Sequence, residues 1–221
     1  MLVPVGIVRW EQVVFAVAPP PDLAGPEHRS RALQERELAG SLTATGELRS
    51  EYDAQAPGWI AWTRGQPDYL APLRDALDRS SIGESQVSCV MELAAGSGPA
   101  TTVLAERWGS RVVAVDVSWE MLIRSRPDVV RVQADARALP FLGQVADLVV
   151  VVNGVVHWSE IWRILAPRGK VLLVSSYGAS TPLYTSVQQV AADVGDRATD
   201  MVTSAAGHGE WVLVNRQEST L

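Results

Sequence analysis

Cysteine is almost missing from this chain. Cys89 stands alone, so no internal disulfide can form and no four-cysteine or Cys/His zinc framework is available. Lysine is equally scarce, with Lys170 the single one beside eighteen arginines, a bias we attribute to coding rather than function. Positive charge is in deficit overall: 19 Lys+Arg against 25 Asp+Glu leave a formal charge of −6. A protein that must neutralise a phosphate backbone carries the opposite balance, which argues against extended nucleic-acid binding. No apolar run is long: Val145–Val152 falls far short of the roughly 20 residues that cross a bilayer. Met1–Ile7 has no basic region and Val13–Val17 is too short for a secretory core, so a cytoplasmic location without membrane attachment is the expectation. A Gly-x-Ser-x-Gly elbow, a phosphate-binding Gly-Lys-Ser/Thr loop and a His-Glu-x-x-His pair are all absent, and no metal site is expected. Phenylalanine is also rare, two residues against eight tryptophans, so tryptophan carries most of the aromatic surface.

Apolar residues (47%) and charged residues (20%) stand near globular averages over 221 residues, which suits one domain with an added arm. We expect an arm or lid with helices over residues 1–83 and the core over 84–221. The arm holds two short apolar stretches (Val3–Val8, Val13–Val17), a Pro19-Pro20-Pro21 connector, a charged helix within Glu27–Leu38 and an amphipathic helix over Asp68–Arg79. From Val87 a regular alternation begins. Strands are expected at Val87–Leu93, Arg111–Val115, Val129–Gln133, Val145–Val152 and Lys170–Ser175. Helices are expected at Pro99–Trp108, Ser118–Ser125, the turn closing at Ile161–Leu165, and Pro182–Val194. Apolar strands separated by helices imply a parallel sheet covered on both faces. Thr199–Ala205 and Trp211–Asn215, joined by Gly207-His208-Gly209, read as an antiparallel hairpin.

The strongest chemical signal is Glu92-Leu93-Ala94-Ala95-Gly96-Ser97-Gly98-Pro99, which follows a buried strand and opens a helix. Glycine lets backbone approach a ligand closely, and a helix start supplies free N–H groups. By itself such a turn occurs in any doubly wound fold. Asp116 ends the next strand, where a carboxylate can accept both ribose hydroxyls of a nucleoside. Asp135-Ala136 ends the third, placed to meet an adenine amino group. Three ligand positions at successive strand ends fall on one rim.

From about Val90 to Ser176 the chain resembles the class I S-adenosylmethionine-dependent methyltransferases. Within them it is similar to the ubiquinone/menaquinone-methyltransferase-like (type 11) small-molecule group. The matching pieces are Glu92-x-Ala94-x-Gly96-x-Gly98, Val113-Ala114-Val115-Asp116-Val117-Ser118-x-x-Met121-Leu122, Asp135-Ala136-x-x-Leu139-Pro140-Phe141, and Glu160-Ile161-x-Arg163-Ile164-Leu165-Ala166-Pro167-Arg168-Gly169-Lys170. The resemblance implies a doubly wound α/β fold: a seven-stranded, mostly parallel sheet with a C-terminal antiparallel hairpin. It implies S-adenosyl-L-methionine as cofactor and S-adenosyl-L-homocysteine as product. Ala94, Ala95, Gly96 and Gly98 would hold the methionine part, with Glu92 beneath; Asp116 the ribose; Val117 and Met121 the adenine faces; Asp135 and Ala136 its edge. Asn153 would sit beneath the sulfonium, and Tyr52 would close over the cofactor. Two departures stand out. Only Asn153–Trp162 separate the fourth strand from Arg163, where the family has a longer loop and helix, so either the arm supplies that wall or turnover suffers. Arg168 also stands where a glycine is usual.

Each residue has a plainer reading. Glu92 can end a strand in solvent, Asp116 can cap the helix at Ser118, and Asp135 can belong to a polar turn. His157 follows the fourth strand and is the candidate base for an acceptor hydroxyl, but a lone His beside Trp158 also reads as packing. Trp59, Trp62, Trp158 and Tyr177 are candidates to line an apolar acceptor pocket, and equally to pack a core or lid. Trp108 and Trp119 read as packing, His28 and His208 as surface, Cys89 as a small buried hydrophobe. The function expected is methyl transfer to a small molecule, O-methylation first, with the arm a candidate surface for a homodimer. The alternatives are a cofactor-binding but non-catalytic protein and an NAD-dependent oxidoreductase. The latter is disfavoured because Thr101 stands where the third fingerprint glycine belongs. Asn153-Gly154-Val155-Val156 is not the motif of base amino-group methylation.

Overall fold

β-Branched and leucine residues in runs of four to seven place a sheet at the centre of the chain, and the computed structural model shows it. The structure describes residues 7–9, 28–66, 68–80, 82–83 and 86–217. In chain order the elements are β1 (Ile7–Arg9), α1 (Arg29–Leu38), α2 (Leu42–Arg64), α3 (Ala71–Arg79), β2 (Val90–Leu93), α4 (Pro99–Trp108), β3 (Val112–Asp116), α5 (Trp119–Leu122), β4 (Val130–Gln133), β5 (Ala146–Val152), α6 (Trp158–Ile164), β6 (Leu165–Ser175), α7 (Val187–Val194), β7 (Ala198–Ala206) and β8 (Gly209–Arg216). They form one sheet of order β1-β7-β8-β6-β5-β2-β3-β4. All neighbours are parallel except β8, which runs antiparallel to both β6 and β7. The seven expected strands are present, and β1 adds a three-residue strand on the β7 edge.

Period-two alternation sorts the strand side chains between two faces. Val90, Leu148, Val150, Val152, Leu172 and Val174 pack with Leu73, Leu77, Leu104 and Trp108 of α3 and α4. Met91, Val149, Val151, Val171 and Leu173 pack with Ile161 and Ile164 of α6 and with Val187, Val190 and Val194 of α7. β5, flanked by β2 and β6, is buried at every position but Asp147, as its unbroken apolar run requires.

Boundaries differ where local chemistry intervenes. The helix expected over Ser118–Ser125 is a single turn, Trp119–Leu122, capped by the Ser118 hydroxyl. α7 begins at Val187 under a Ser186 cap rather than at Pro182. β6 starts at Leu165, upstream of Lys170, and Arg168 there takes φ +64°, the left-handed value a glycine adopts without strain. The largest difference is α2, whose 23 residues run through Gly46, Pro57 and Gly58. These are helix breakers by propensity, and packing overrides them: Leu48 and Leu33 of α1 bury against Leu183, with Tyr52 and Val155 beside them. The connector Pro19–Pro21 and most of the two apolar stretches before it lie outside the described residues. No described helix is long and apolar enough to cross a membrane.

The arm is tied to the core by polar contacts. Arg31 donates to the Pro182 and Thr181 carbonyls at 2.8 and 2.5 Å. Ser118 Oγ donates to Asp53 of α2, and Arg137 reaches the Ser41 carbonyl at 3.4 Å.

Candidate active site

The carboxyl ends of β2, β3, β4 and β5 face one cavity of about 500 Å³. Backbone shapes its floor. Ala94 and Asn153, at the ends of β2 and β5, both take left-handed angles, φ +56° and +53°. Non-glycine residues hold that conformation only where the surroundings impose it, and such positions gather at functional sites. Gly98 (φ +80°) could carry no side chain: a Cβ there would stand 2.6 Å from Ser125 Cβ. Gly154 is equally confined, its added Cβ falling 2.6 Å from Ala94 Cβ.

Asp116 joins two of these rims. Its Oδ2 accepts the Gly96 N–H at 2.8 Å and its Oδ1 accepts the Ser118 N–H at 2.7 Å. The helix cap is Ser118, not Asp116, whose Oδ1 holds the N–H of the capping residue, and the same carboxylate lines the cavity. Burial raises its pKa to about 6, opposed by those two N–H bonds. Glu92 is 1% exposed, not in solvent, and receives the Thr101 hydroxyl at 2.5 Å. Burial lifts it to about 8, against the Thr101 bond and with the Asp116 charge adding to the rise. Thr101, the residue that departs from the dinucleotide fingerprint, is thus the partner that makes a buried Glu92 tolerable. Asp135 is held by a bidentate contact from Arg137 and accepts the Arg137 N–H at 2.8 Å. The Arg137 guanidinium keeps it below the usual carboxylate range. It is a polar turn that also lines the cavity.

The opposite wall consists of rings, four from the arm and one, Tyr177, from the segment after β6. Tyr52, Trp59, Trp62, Tyr69 and Tyr177 follow one another at centroid distances of 5.9, 5.2, 5.9 and 6.2 Å, and all five line the cavity. Trp59 stands over the glycine turn, its Nε1 3.9 Å from where a Gly96 Cβ would be. Burial raises all three tyrosines, Tyr69 and Tyr177 to about 12. Side chains of α2 and the turn after it thus stand across the cavity from Asn153 and Val155.

Of the residues singled out in the sequence, Tyr52, Glu92, Ala94, Ala95, Gly96, Asp116, Val117, Met121, Asp135, Ala136, Asn153, Trp59, Trp62 and Tyr177 line the cavity, and Gly98 shapes the turn beneath. Trp158 does not line it. Its ring stacks on Trp162 at 5.5 Å and its Nε1 donates to Asp193, because α6 turns that face toward α7. His157 is also off the lining: Nε2 contacts Glu37 Oε1 at 2.8 Å, so it locks α1 to the core. Asn153 spends its amide on Ser176, Nδ2 to Oγ and Oδ1 to N–H, both 2.8 Å. Four plainer expectations also change. Trp119 is an exposed helix residue, not packing; Cys89 precedes β2 and is only half-buried; His208 lies beside buried Asp68 at 3.6 Å; His28 caps α1 and lines the cavity. Sequence reasoning missed Tyr69, Glu37, Thr45 and Leu183, whose place in the cavity depends on how the arm folds back.

The comparisons address this layout. Residues 91–173 match the family described as Methyltransferase domain. An uncharacterized methyltransferase of Schizosaccharomyces pombe is 32% identical over 120 residues, covering 49% of this chain and 47% of that protein. A trans-aconitate 2-methyltransferase of Azoarcus is 38% identical over 108 residues, covering 43% and 41%. The chain thus spans less than half the length of these curated relatives. The structure of an S-adenosylmethionine-dependent methyltransferase from Aquifex aeolicus superposes with a TM-score of 0.56 at 16% identity, covering 69% of this chain and 94% of that one. The chain therefore shares the fold of that methyltransferase, and the segment 91–173 contains the Gly96–Gly98 turn, Asp116, Asp135 and Asn153.

Proposed function

We propose that the protein transfers a methyl group from S-adenosylmethionine to a small-molecule acceptor bound in the aromatic half of the cavity. The observation that carries this reading is the meeting of two surfaces: the strained glycine turn with Asp116 on one side, the five-ring wall on the other. The residues fit the cofactor. Asp116 uses one lone pair of each oxygen on an N–H, which leaves capacity for two ribose hydroxyls. Met121 and Val117 give apolar surface for the base, and Gly96 and Ala94 let a zwitterion lie close to backbone. When bound, S-adenosylmethionine supplies an already activated methyl group, open to a single in-line displacement by an acceptor atom.

The chain's own residues then have modest tasks: to align, to exclude water and to leave the acceptor's proton somewhere to go. Every carboxylate on the lining is already engaged, Glu92 by Thr101, Asp116 by N–H groups, Asp135 by Arg137 and Glu37 by His157. None of them is free to take the acceptor's proton directly, so an acceptor that enters neutral and loses its proton to solvent during transfer suits the site, and O-methylation of a phenol-like hydroxyl is the first choice. His157, paired with Glu37 and off the lining, acts as a positioning residue of the lid. A non-catalytic binding protein, the second reading, is disfavoured by a cavity wall that the arm completes.

Binding and turnover separate these readings. S-adenosylhomocysteine should bind in calorimetry, and labelled methyl groups should reach a member of a phenol and amine panel. Binding without transfer across that panel would favour the non-catalytic reading, and no binding would dismiss both.

A further inference from the structure

The cavity is lined by acidic side chains and by no side chain that is always cationic. Among the described residues that line it are Glu37, Glu92, Asp116 and Asp135, and no lysine or arginine. The partners of Asp135 and Glu37, Arg137 and His157, stand behind those side chains and off the lining. His28 also lines the cavity, as the N-cap of α1, where its Nδ1 accepts the Ser30 N–H at 3.1 Å. The remainder of the acceptor side is apolar: the rings from Tyr52 to Tyr177, with Leu48, Val155 and Leu183. Two polar atoms there lack a partner. Tyr177, 5% exposed, and Thr45, 8% exposed, have hydroxyls with no hydrogen bond within the chain.

We propose that the acceptor is a flat, largely apolar molecule that enters neutral or as a cation, through a phenol-like hydroxyl or an amine whose lone pair takes the methyl as its proton passes to solvent, and that the site rejects acceptors that enter as anions. This rests on the methyl-transfer reading. An anion entering the cavity would leave water without meeting a lysine or arginine and would approach four carboxyl groups. A neutral ring gains burial against five others, and an ammonium gains the attraction of their faces. The Tyr177 and Thr45 hydroxyls give the reacting end a hydrogen-bonding anchor that needs no charge. Selectivity of this kind comes from a penalty on the wrong ligand as much as from contacts to the right one.

The test uses the full chain saturated with S-adenosylhomocysteine, whose neutral sulfur leaves only the protein's own charge preference. Calorimetry at pH 7.5 compares 2-naphthol, 2-naphthylmethylamine and 2-naphthoate, one shape in three charge states. The neutral and cationic ligands should bind at least about tenfold more tightly than the anion. Gln55→Lys, which adds a cation to the lining, should shrink the naphthoate deficit severalfold. Naphthoate binding as well as the others, or none of the three binding to the loaded protein, would overturn the proposal, and so would a deficit unmoved by Gln55→Lys. Failure of S-adenosylhomocysteine itself to bind would instead remove the methyl-transfer reading beneath it.

Discussion

The wall that β2, β3 and β4 present to the cavity is built from backbone, whereas the wall from α1 and α2 is built from side chains. On the first, left-handed Ala94, Gly96 and Gly98 and the N–H groups tied to Asp116 define the surface, and side-chain identity matters mainly where it removes bulk. On the second, a ladder of rings defines it, and the backbone is ordinary helix. Backbone geometry suits a ligand that never changes, and side chains suit one that a particular protein selects. On the proposed reading the cofactor lies against the first wall and the acceptor against the second.

The sharpest break comes on the backbone side. Gly98→Val forces a side chain into Ser125 at a left-handed angle, and should cost roughly 3 kcal/mol or more of stability with loss of S-adenosylhomocysteine binding. Asp116→Ala should keep the fold and weaken the cofactor by roughly 2–3 kcal/mol, read by calorimetry. A smaller effect is expected for Glu92→Gln, in stability rather than affinity. Burial raises the folded pKa of Glu92 from its ordinary value of 4.5 to about 8, so its native form holds the proton more tightly than the unfolded chain. Its contribution is therefore full below about pH 4.5 and is lost as pH climbs to about 8, an effect on the order of a few kcal/mol. Denaturant titrations from pH 5 to 8.5 should show a falling stability that Glu92→Gln flattens, and an equal slope in both proteins would contradict the assignment. On the side-chain wall, Trp59→Ala should cost acceptor affinity by about 1 kcal/mol, and the cofactor less. Least of all, Trp158→Ala should leave both affinities unchanged, since its ring faces Trp162 and Asp193.

The same contrast explains what the sequence discloses. The glycine turn, Asp116 and Asp135 were legible because each ends an apolar strand, and strand ends in a parallel sheet share one edge. α2 was not, because Gly46, Pro57 and Gly58 speak against a helix and only its packing on α1, Leu183 and the rim restores one. Tyr69 follows Asp68 in a polar turn and gives no periodic signal, so its place between Trp62 and Tyr177 emerges only when the arm folds back. Trp158 misled for the converse reason. It is next to His157 and near Asn153 in sequence, but one helical turn carries it to the far face of the sheet.

The central claim is that the rim formed by Ala94–Gly98, Asp116 and Asp135 grips an adenosine-bearing methyl donor. Thermal melting with S-adenosylhomocysteine or NAD at saturating concentration tests it most directly. At about 100-fold excess over its dissociation constant a ligand adds about 2.7 kcal/mol, or roughly 5–10 °C in Tm for a chain of this size. The account predicts that rise with S-adenosylhomocysteine and none with NAD; a flat melt with the former, or a rise with NAD, would contradict it.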